Sequence, residues 1–432
     1  MSVDAIHNQL RQFLSCLKPG TLERPLLIAV SGGSDSLALL HAMADIQSDT
    51  SLKIQAATID HSLRTEARAE AEFVHVICDR LNVPHHILTL DWKTGDKKTQ
   101  ASARLHRYRL LARHAHDIGA SIILTGHTFN DQMETCLLRA RGGSGWWGLS
   151  GMRDIGMVPV WPEGEGLGLA RPLLDTSRER LRDFLIERGI SWIDDPSNEN
   201  PAYERVRIRR YLTNELHVVQ EVERMQFELS ERRTSIGLHL REWLQSHATW
   251  LPGGAIRMET EACFDLPDAF LERLLMFLLP CVAGRQVTPR RERLHRLFDK
   301  FRHDDEKKMA TLGGCLIDWS GPDFFIVPEI NSQDLMPDEI TSGVWGGRVS
   351  ITSQSGESVR IAAWGERKKP EHIDADRIPP LYLRRFLPVQ LDDEGEVQSV
   401  PHLEHSSLIS VKDLSENRML SWLHPESQFF RG

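Results

Sequence analysis

The chain has 432 residues, more than one hydrophobic core usually organises, so two or three domains are expected, and its 41% apolar content excludes a disordered protein. Its 61 Asp and Glu against 52 Lys and Arg make it acidic, so a polyanionic partner has to be met by local basic patches. Six scattered cysteines (Cys16, Cys78, Cys136, Cys263, Cys281, Cys315) without a C-x-x-C pair argue against a zinc ribbon, an iron–sulfur cluster or a disulfide framework. No apolar run approaches the ~20 residues that cross a bilayer. The amphipathic start MSVDAIHNQLRQFLSCLKPG lacks a secretory core, so a cytoplasmic address and no membrane partner are expected.

From about Glu23 to Asp195, short apolar runs alternate with amphipathic ones. LLIAV (Leu26 to Val30), IQAATI (Ile54 to Ile59), HHILTL (His85 to Leu90) and SIILTG (Ser121 to Gly126) read as buried strands. Between them LALLHAMADI, EARAEAEFVHVICDRL and ASARLHRYRLLARHAHDIG have helical spacing. This alternation predicts an α/β fold, a parallel sheet with helices on both faces. Ligands of such sheets sit beyond the carboxyl ends of the strands. Three polar clusters fall there: SGGSDS (Ser31 to Ser36), IDHSLR (Ile59 to Arg64) and GHTFNDQMET (Gly126 to Thr135).

A second region begins near Tyr211, with helical periods in VVQEVERMQFELSERRTSIGLHLREWLQ, FLERLLMFLLPCVAG and PRRERLHRLFDKFRHD. MATLGGCLIDW followed by FFIVPEI reads as a hairpin or two short strands. A third region starts near Trp345, where GRVSITS and SVRIAAW alternate like small half-exposed strands. The expected layout is a catalytic domain at 1–212, a mainly helical middle domain at 213–335 and a small β-rich C-terminal domain at 343–432.

The turn Ser31-Gly32-Gly33-Ser34-Asp35-Ser36 joins a strand to a helix. It offers backbone N–H groups at a helix N-terminus, the makings of an anion site. Glycines let the backbone approach a ligand closely, and Ser31, Ser34 and Ser36 add hydroxyl donors. Asp35 would repel a phosphate, so its presence points to Mg²⁺ between carboxylate and phosphate oxygens. The Gly-Lys-Ser/Thr of the common nucleotide loop is missing.

SGGSDS after a strand resembles the fingerprint of the N-type ATP pyrophosphatases, the PP-loop family. The resemblance implies that the loop holds the pyrophosphate of ATP while a nucleophile takes the adenylyl group. A nitrogen nucleophile then displaces AMP; a sulfur acceptor would need reactive cysteines that this chain lacks. Downstream segments narrow the branch: ATIDHSLR, TQASARLHRYRLL, GHTFNDQMET, RARGGSGWWGLSGM, ARPLL and WIDDPSNENPAYERVRIRRYL occur in the order expected of tRNA(Ile)-lysidine synthetases, which they resemble. That likeness implies ATP and L-lysine as substrates and tRNA(Ile) with a CAU anticodon as partner. The wobble cytidine would be adenylated at its base carbonyl oxygen, and the ε-amine of lysine would then displace AMP, shifting decoding from AUG to AUA.

Within this reading Asp35, Arg104, His127 and Asp131 are the catalytic candidates. Asp35 and Asp131 are also the Mg²⁺ candidates, and Glu134, at helical spacing from Asp131, is a metal or lysine candidate. A polar helix start is the alternative for Asp131 and Glu134. Ser31, Gly32, Gly33, Ser34, Asp35 and Ser36, with Asp60 and His61 after the second strand, are the ATP-binding candidates; loop capping is the alternative for Asp60 and His61. His127 suits phosphate binding or proton removal from the lysine amine. Arg104 and Tyr108 share a helix face with Arg107 beside them.

Arg205, Arg207, Arg209 and Arg210, clustered beside Tyr203 and Tyr211, are the tRNA-binding candidates, since arginines pair phosphates and aromatics stack bases. A second patch, Arg285, Arg290, Arg291, Arg293 and Arg296, is interleaved with Leu294, Leu297 and Phe298, so half of its pattern is packing. Asn130 and Val206 depart from the family pattern of Asp and Asn, and no metal role is assigned to Asn130. The rival readings are a PP-loop amidating enzyme acting on a small molecule and a non-catalytic tRNA-binding protein.

Overall fold

The computed structural model describes residues 4–60, 66–92, 99–194, 200–302, 308–404 and 409–431. Two compact units divide the chain: Met1–Ser235 with His424–Gly432, and Ile236–Leu423.

In the first unit, helices α1 (Asp4–Cys16) and α2 (Pro19–Leu22) lead into β1 (Leu26–Ala29), α3 (Ser34–Ser48), β2 (Ile54–Asp60) and α4 (Glu66–Arg80). Then come β3 (His85–Thr89), α5 (Gln100–Asp117), β4 (Ile122–Thr125), α6 (Phe129–Arg141) and α7 (Trp146–Leu149). Strands β5 (Ile155–Met157) and β6 (Gly168–Ala170) and helices α8 (Arg178–Glu187) and α9 (Glu204–Asn214) complete the series, and α10 (Leu216–His247) runs from this unit into the second. All four strands expected from apolar runs form within a residue of their expected ends.

The sheet order is β3-β2-β1-β4-β6-β5. Leu26 of β1 lies opposite Ile54 of β2 and Ile122 of β4, both in parallel. β6 continues the parallel pairing, and β5 closes the edge antiparallel. Side chains alternate across the pleat. Leu26, Ile28 and Val30 pack with Leu10, Leu37, Leu40 and Phe184. Leu27, Ala57, Ile123 and Leu169 pack on the other face with Tyr108, Leu111, Ala112 and Ala115 of α5. Both faces are covered, as near-continuous apolar strands require.

β3 departs from the expected buried strand. It is the sheet edge, and its residues are half-buried or exposed. His85 meets Thr58 Oγ1 at 2.9 Å and His75 Nδ1 at 3.2 Å. Burial, with the neighbouring His75 and His86, pushes its pKa down to about 4, so it is neutral at pH 7.

β1 has β2 on one side and β4 on the other, so the strand order reverses there. The crevice beyond this switch point is where open α/β sheets bind ligands. The last residues of the chain also belong to this unit. Leu17 forms a bridge with Phe430, Lys18 N donates to Phe429 O at 2.8 Å, and Arg153 Nη1 donates to Glu426 Oε1 at 2.7 Å.

The second unit contains two strands that the helical reading passes over. β7 (Ala248–Leu251) and β8 (Ala255–Glu259) flank Pro252-Gly253-Gly254. After α11 (Thr260–Asp265), α12 (Asp268–Val282) and α13 (Arg291–Arg302) come β9 (Met309–Leu312), β10 (Cys315–Asp318) and β11 (Asp323–Pro328). These five strands form one sheet in the order β7-β8-β11-β10-β9, antiparallel throughout. Leu274, Leu275 and Leu278 of α12 and Leu294, Leu297 and Phe298 of α13 share its core. The arginines of the second basic patch remain exposed. The following β-rich part forms a four-stranded and a three-stranded sheet, which include Val349–Ser353 and Val359–Ala363 as expected.

Candidate active site

The Ser31 to Ser36 turn lies between β1 and α3, beyond the carboxyl end of β1. Gly32 takes φ +84°, and a Cβ there would meet Ile193 Cδ1 at 3.0 Å, so both conformation and space call for glycine. Ser36 Oγ accepts from Ser31 N at 3.1 Å and donates to Gly33 O at 3.0 Å, which cinches the turn. Gly33, the N-cap of α3, has no side chain to satisfy the first-turn N–H groups. Ser34 Oγ donates to Asp35 Oδ1 at 3.0 Å.

The turn after β4 packs directly against this one. A Cβ on Gly126 would sit 2.7 Å from the carbonyl oxygen of Asp35, so the two backbones touch only because residue 126 is glycine. α6 then begins with a capping box. Asp131 N donates to Thr128 Oγ1, and Asp131 Oδ2 accepts from Thr128 N at 3.0 Å. Such a cap contributes about 1 kcal/mol to the helix. It also fixes the carboxylate, leaving Asp131 Oδ1 to face the crevice.

Three arginines meet three carboxylates there. Arg178 Nε donates to Asp35 Oδ2 at 2.9 Å and its Nη2 to Asp131 Oδ1 at 3.2 Å, while Nη1 lies 3.7 Å from Glu134 Oε1. Arg205 donates through Nη2 to Asp131 Oδ1 at 2.9 Å and through Nε to Glu134 Oε2 at 2.6 Å. Arg209 Nε donates to Glu134 Oε1 at 2.7 Å. The Glu134 side chain is 1% exposed, a burial that a carboxylate tolerates when paired in this way. Burial pushes the Asp35 carboxyl above its usual range, an effect Arg178 opposes and Asp131 reinforces. For Asp131, burial pushes the same way but Arg178, Arg205 and His127 prevail, and its pKa falls.

A cationic cluster lies near His127, whose ring feels Arg171, Arg107 and Arg104. The guanidinium groups of Arg104 and Arg107 lie 5.2 and 5.3 Å from the centre of the buried Tyr108 ring, within cation–π range. Burial raises the Tyr108 phenol, but Arg104, Arg107 and Arg171 outweigh it and leave the pKa below the usual value. Arg171 is itself buried, donates to Arg153 O at 2.9 Å, and is lowered to about 10, chiefly by desolvation. His127 Nδ1 lies 2.8 Å from Thr125 Oγ1, whose proton goes to Ala170 O at 3.2 Å. Thr125 therefore accepts from Nδ1–H, and Nε2 is left as the acceptor nitrogen. Burial, then Arg171, holds the ring's pKa well below the usual value.

The structure thus brings together Ser31, Gly32, Gly33, Ser34, Asp35 and Ser36 with Asp131 and Glu134, as well as Arg205 and Arg209, which the sequence assigned to RNA. Arg207 points elsewhere, donating to Pro201 O and Ala202 O at 2.8 and 3.0 Å, and both Arg207 and Arg210 are exposed. Asp60 is buried at the carboxyl end of β2. His61 lies outside the described residues. Asn130 Oδ1 accepts from Arg178 N at 2.9 Å, and Val206 is buried. Arg178 was missed by the sequence reading; its one local signal is its place directly after the N-cap Ser177.

Two hard carboxylates facing a phosphate-type turn fit Mg²⁺, which is commonly held by one or two carboxylates together with substrate phosphates. Among the described residues no group of three or more His, Cys, Asp or Glu is arranged to hold a metal alone.

Residues 5–216 match the family model described as PP-loop domain. The chain is 42% identical over 308 residues to a tRNA(Ile)-lysidine synthase of Hyphomonas neptunium, covering 70% of this chain and 81% of that one. It is 36% identical over 410 residues to a tRNA(Ile)-lysidine synthase of Brucella canis, covering 90% and 89%. Among solved structures, the U34-tRNA thiolase NcsA from Methanococcus maripaludis aligns with a TM-score of 0.41 at 13% identity, over 52% of this chain and 78% of that one.

Proposed function

The chain belongs to the tRNA(Ile)-lysidine synthase family, and from that premise we propose how its residues divide the work of an ATP-dependent ligase. The reaction joins L-lysine to the wobble cytidine of tRNA(Ile). The base carbonyl oxygen attacks the α-phosphate of ATP and pyrophosphate leaves. The ε-amine of lysine then attacks the activated carbon, and AMP leaves.

The turn Ser31–Ser36 cradles the pyrophosphate with backbone N–H groups at the α3 terminus. Asp60 and His61 contact the adenosine. Asp35 and Asp131 would hold Mg²⁺, which, when bound, supplies charge stabilisation at the phosphates. Arg104 stabilises the charge that develops on the α-phosphate. An acceptor nitrogen suits an N–H better than a phosphate oxygen, so the neutral His127 accepts a hydrogen bond from the lysine amine and orients it for attack. Exposed Arg207 and Arg210, with exposed Tyr203 and Tyr211, contact tRNA. The proposed division is catalysis in 1–212 and tRNA contact from 213–335 and 343–432, within the cytoplasm.

The observation that carries this reading is the contact of the glycine turn after β1 with the Gly126–Asp131 segment after β4, across the switch point. The test is ATP-to-pyrophosphate release measured with tRNA, lysine, both or neither. The proposal expects release that depends on tRNA and a lysine-dependent second step that forms lysidine in the tRNA and releases AMP. Release indifferent to tRNA favours the small-molecule reading; tRNA binding without release favours the non-catalytic one.

A further inference from the structure

The carboxylates Asp35 and Asp131 sit on different elements, one in the first turn of α3 and the other in the first turn of α6. Nothing in the capping of either helix sets their separation, and two like charges facing one crevice repel. A single side chain spans them. Arg178 contributes Nε–H to Asp35 at 2.9 Å and Nη2–H to Asp131 at 3.2 Å, two neighbouring nitrogens of one planar guanidinium. The third nitrogen lies 3.7 Å from Glu134.

Arg178 is held as firmly as the groups it bridges. Its own backbone N–H donates to Asn130 Oδ1 at 2.9 Å, and Phe129 N donates to Thr176 O at 3.0 Å. Those two bonds stitch the start of α8 to the start of α6. Thr176 Oγ1 donates to Gln9 Oε1 at 2.5 Å, tying the same corner to α1. An arginine as the first residue of a helix works against the helix dipole, so its presence here serves the crevice and not α8. Asn130, where the family pattern has Asp, keeps the acceptor oxygen that this stitching needs.

We infer that Arg178 is a positioning residue of the ligase reaction: its guanidinium sets the spacing and orientation of the Asp35 and Asp131 carboxylates across the switch point. The inference rests on the functional reading above, in which those carboxylates face the reacting phosphates. A lysine would keep the charge but bond as a point, without the fork that fixes two oxygens at once.

The test is single-turnover lysidine formation, with KM values for ATP and lysine, in wild type, R178K, R178A, D35N and R178A/D35N, alongside thermal melting. Small misplacements of reacting groups cost on the order of 100-fold, so R178A is expected to lose about that much in rate. The intact glycine turn should hold KM for ATP within about threefold, because ground-state binding is untouched. R178K should recover to within roughly tenfold of wild type, the residual loss being that of the fork. Because Arg178 acts through Asp35 and Asp131 together, the loss in R178A/D35N should be smaller than the product of the two single losses. Losses that multiply in the double variant, or an R178A enzyme as fast as wild type, overturn the inference. If R178A does not fold, R178K and R178K/D35N take its place in the cycle under the same criterion. A wild type that forms no lysidine overturns the functional reading itself, whereas an active wild type indifferent to residue 178 overturns only this inference.

Discussion

The two charged clusters of the site, one around Asp35 and Asp131 and one around Tyr108, are built on opposite rules. On the side of Asp35, Asp131 and Glu134, every carboxylate has an arginine within ion-pair distance. On the side of Tyr108, Arg104 and Arg107 lie against an aromatic ring, and among the described residues neither forms an ion pair with a carboxylate. Paired buried charges hold a geometry at a cost in desolvation. Guanidinium groups supported by a ring and without a carboxylate partner keep N–H donors for an anion. One side is thus fixed and the other receptive, as adenylation requires when negative charge moves between phosphates.

The comparison can be broken most severely at Asp35. D35N keeps the shape and removes the charge, and lysine incorporation into tRNA is expected to fall by about 10³-fold, in the range for lost electrostatic stabilisation. Unchanged incorporation would remove Asp35 from the site. On the receptive side, R104A is expected to lower kcat by about 10²-fold while melting stays near that of wild type, because no ion pair is lost; a large fall in melting temperature would place Arg104 on the structural side instead. E134A is the reverse case. It leaves Arg205 and Arg209 facing each other without their shared carboxylate, and since both are about a third exposed, solvent limits the loss to about 1–3 kcal/mol in denaturant unfolding. A stability equal to wild type would show that this array is not needed to hold α9 on α6. The smallest effect belongs to R207A and R210A. Each should weaken tRNA binding a few-fold and flatten the log affinity–log salt slope by ~0.7–0.9 if it contacts one phosphate; unchanged slopes would move the RNA surface elsewhere.

What the sequence made legible follows the range of the interactions concerned. The strands β1, β2 and β4 and the glycine turn are written in a few adjacent residues, so hydrophobic runs and backbone chemistry reveal them. β5 and β6 have three residues each, too few for a period to register, and they exist because β4 offers an open edge. β7 follows α10 with no break in the chain, and only its pairing with β8 makes it a strand. Arg178 is 143 residues from Asp35, and no local pattern distinguishes it from any other arginine at a helix start. The same limit explains Arg205 and Arg209. Their clustering with aromatics was visible, but which faces the carboxylates and which the solvent is decided by how α9 packs through Ile208 and Leu212 onto Met133 and Cys136 of α6.

The most direct measurement is a crystal structure with a non-hydrolysable ATP analogue and Mg²⁺. The account predicts the β- and γ-phosphates on the backbone of Ser31 to Ser36, with the α-phosphate between Asp35 and Arg104. Nucleotide density bound elsewhere, with that turn empty, would contradict it.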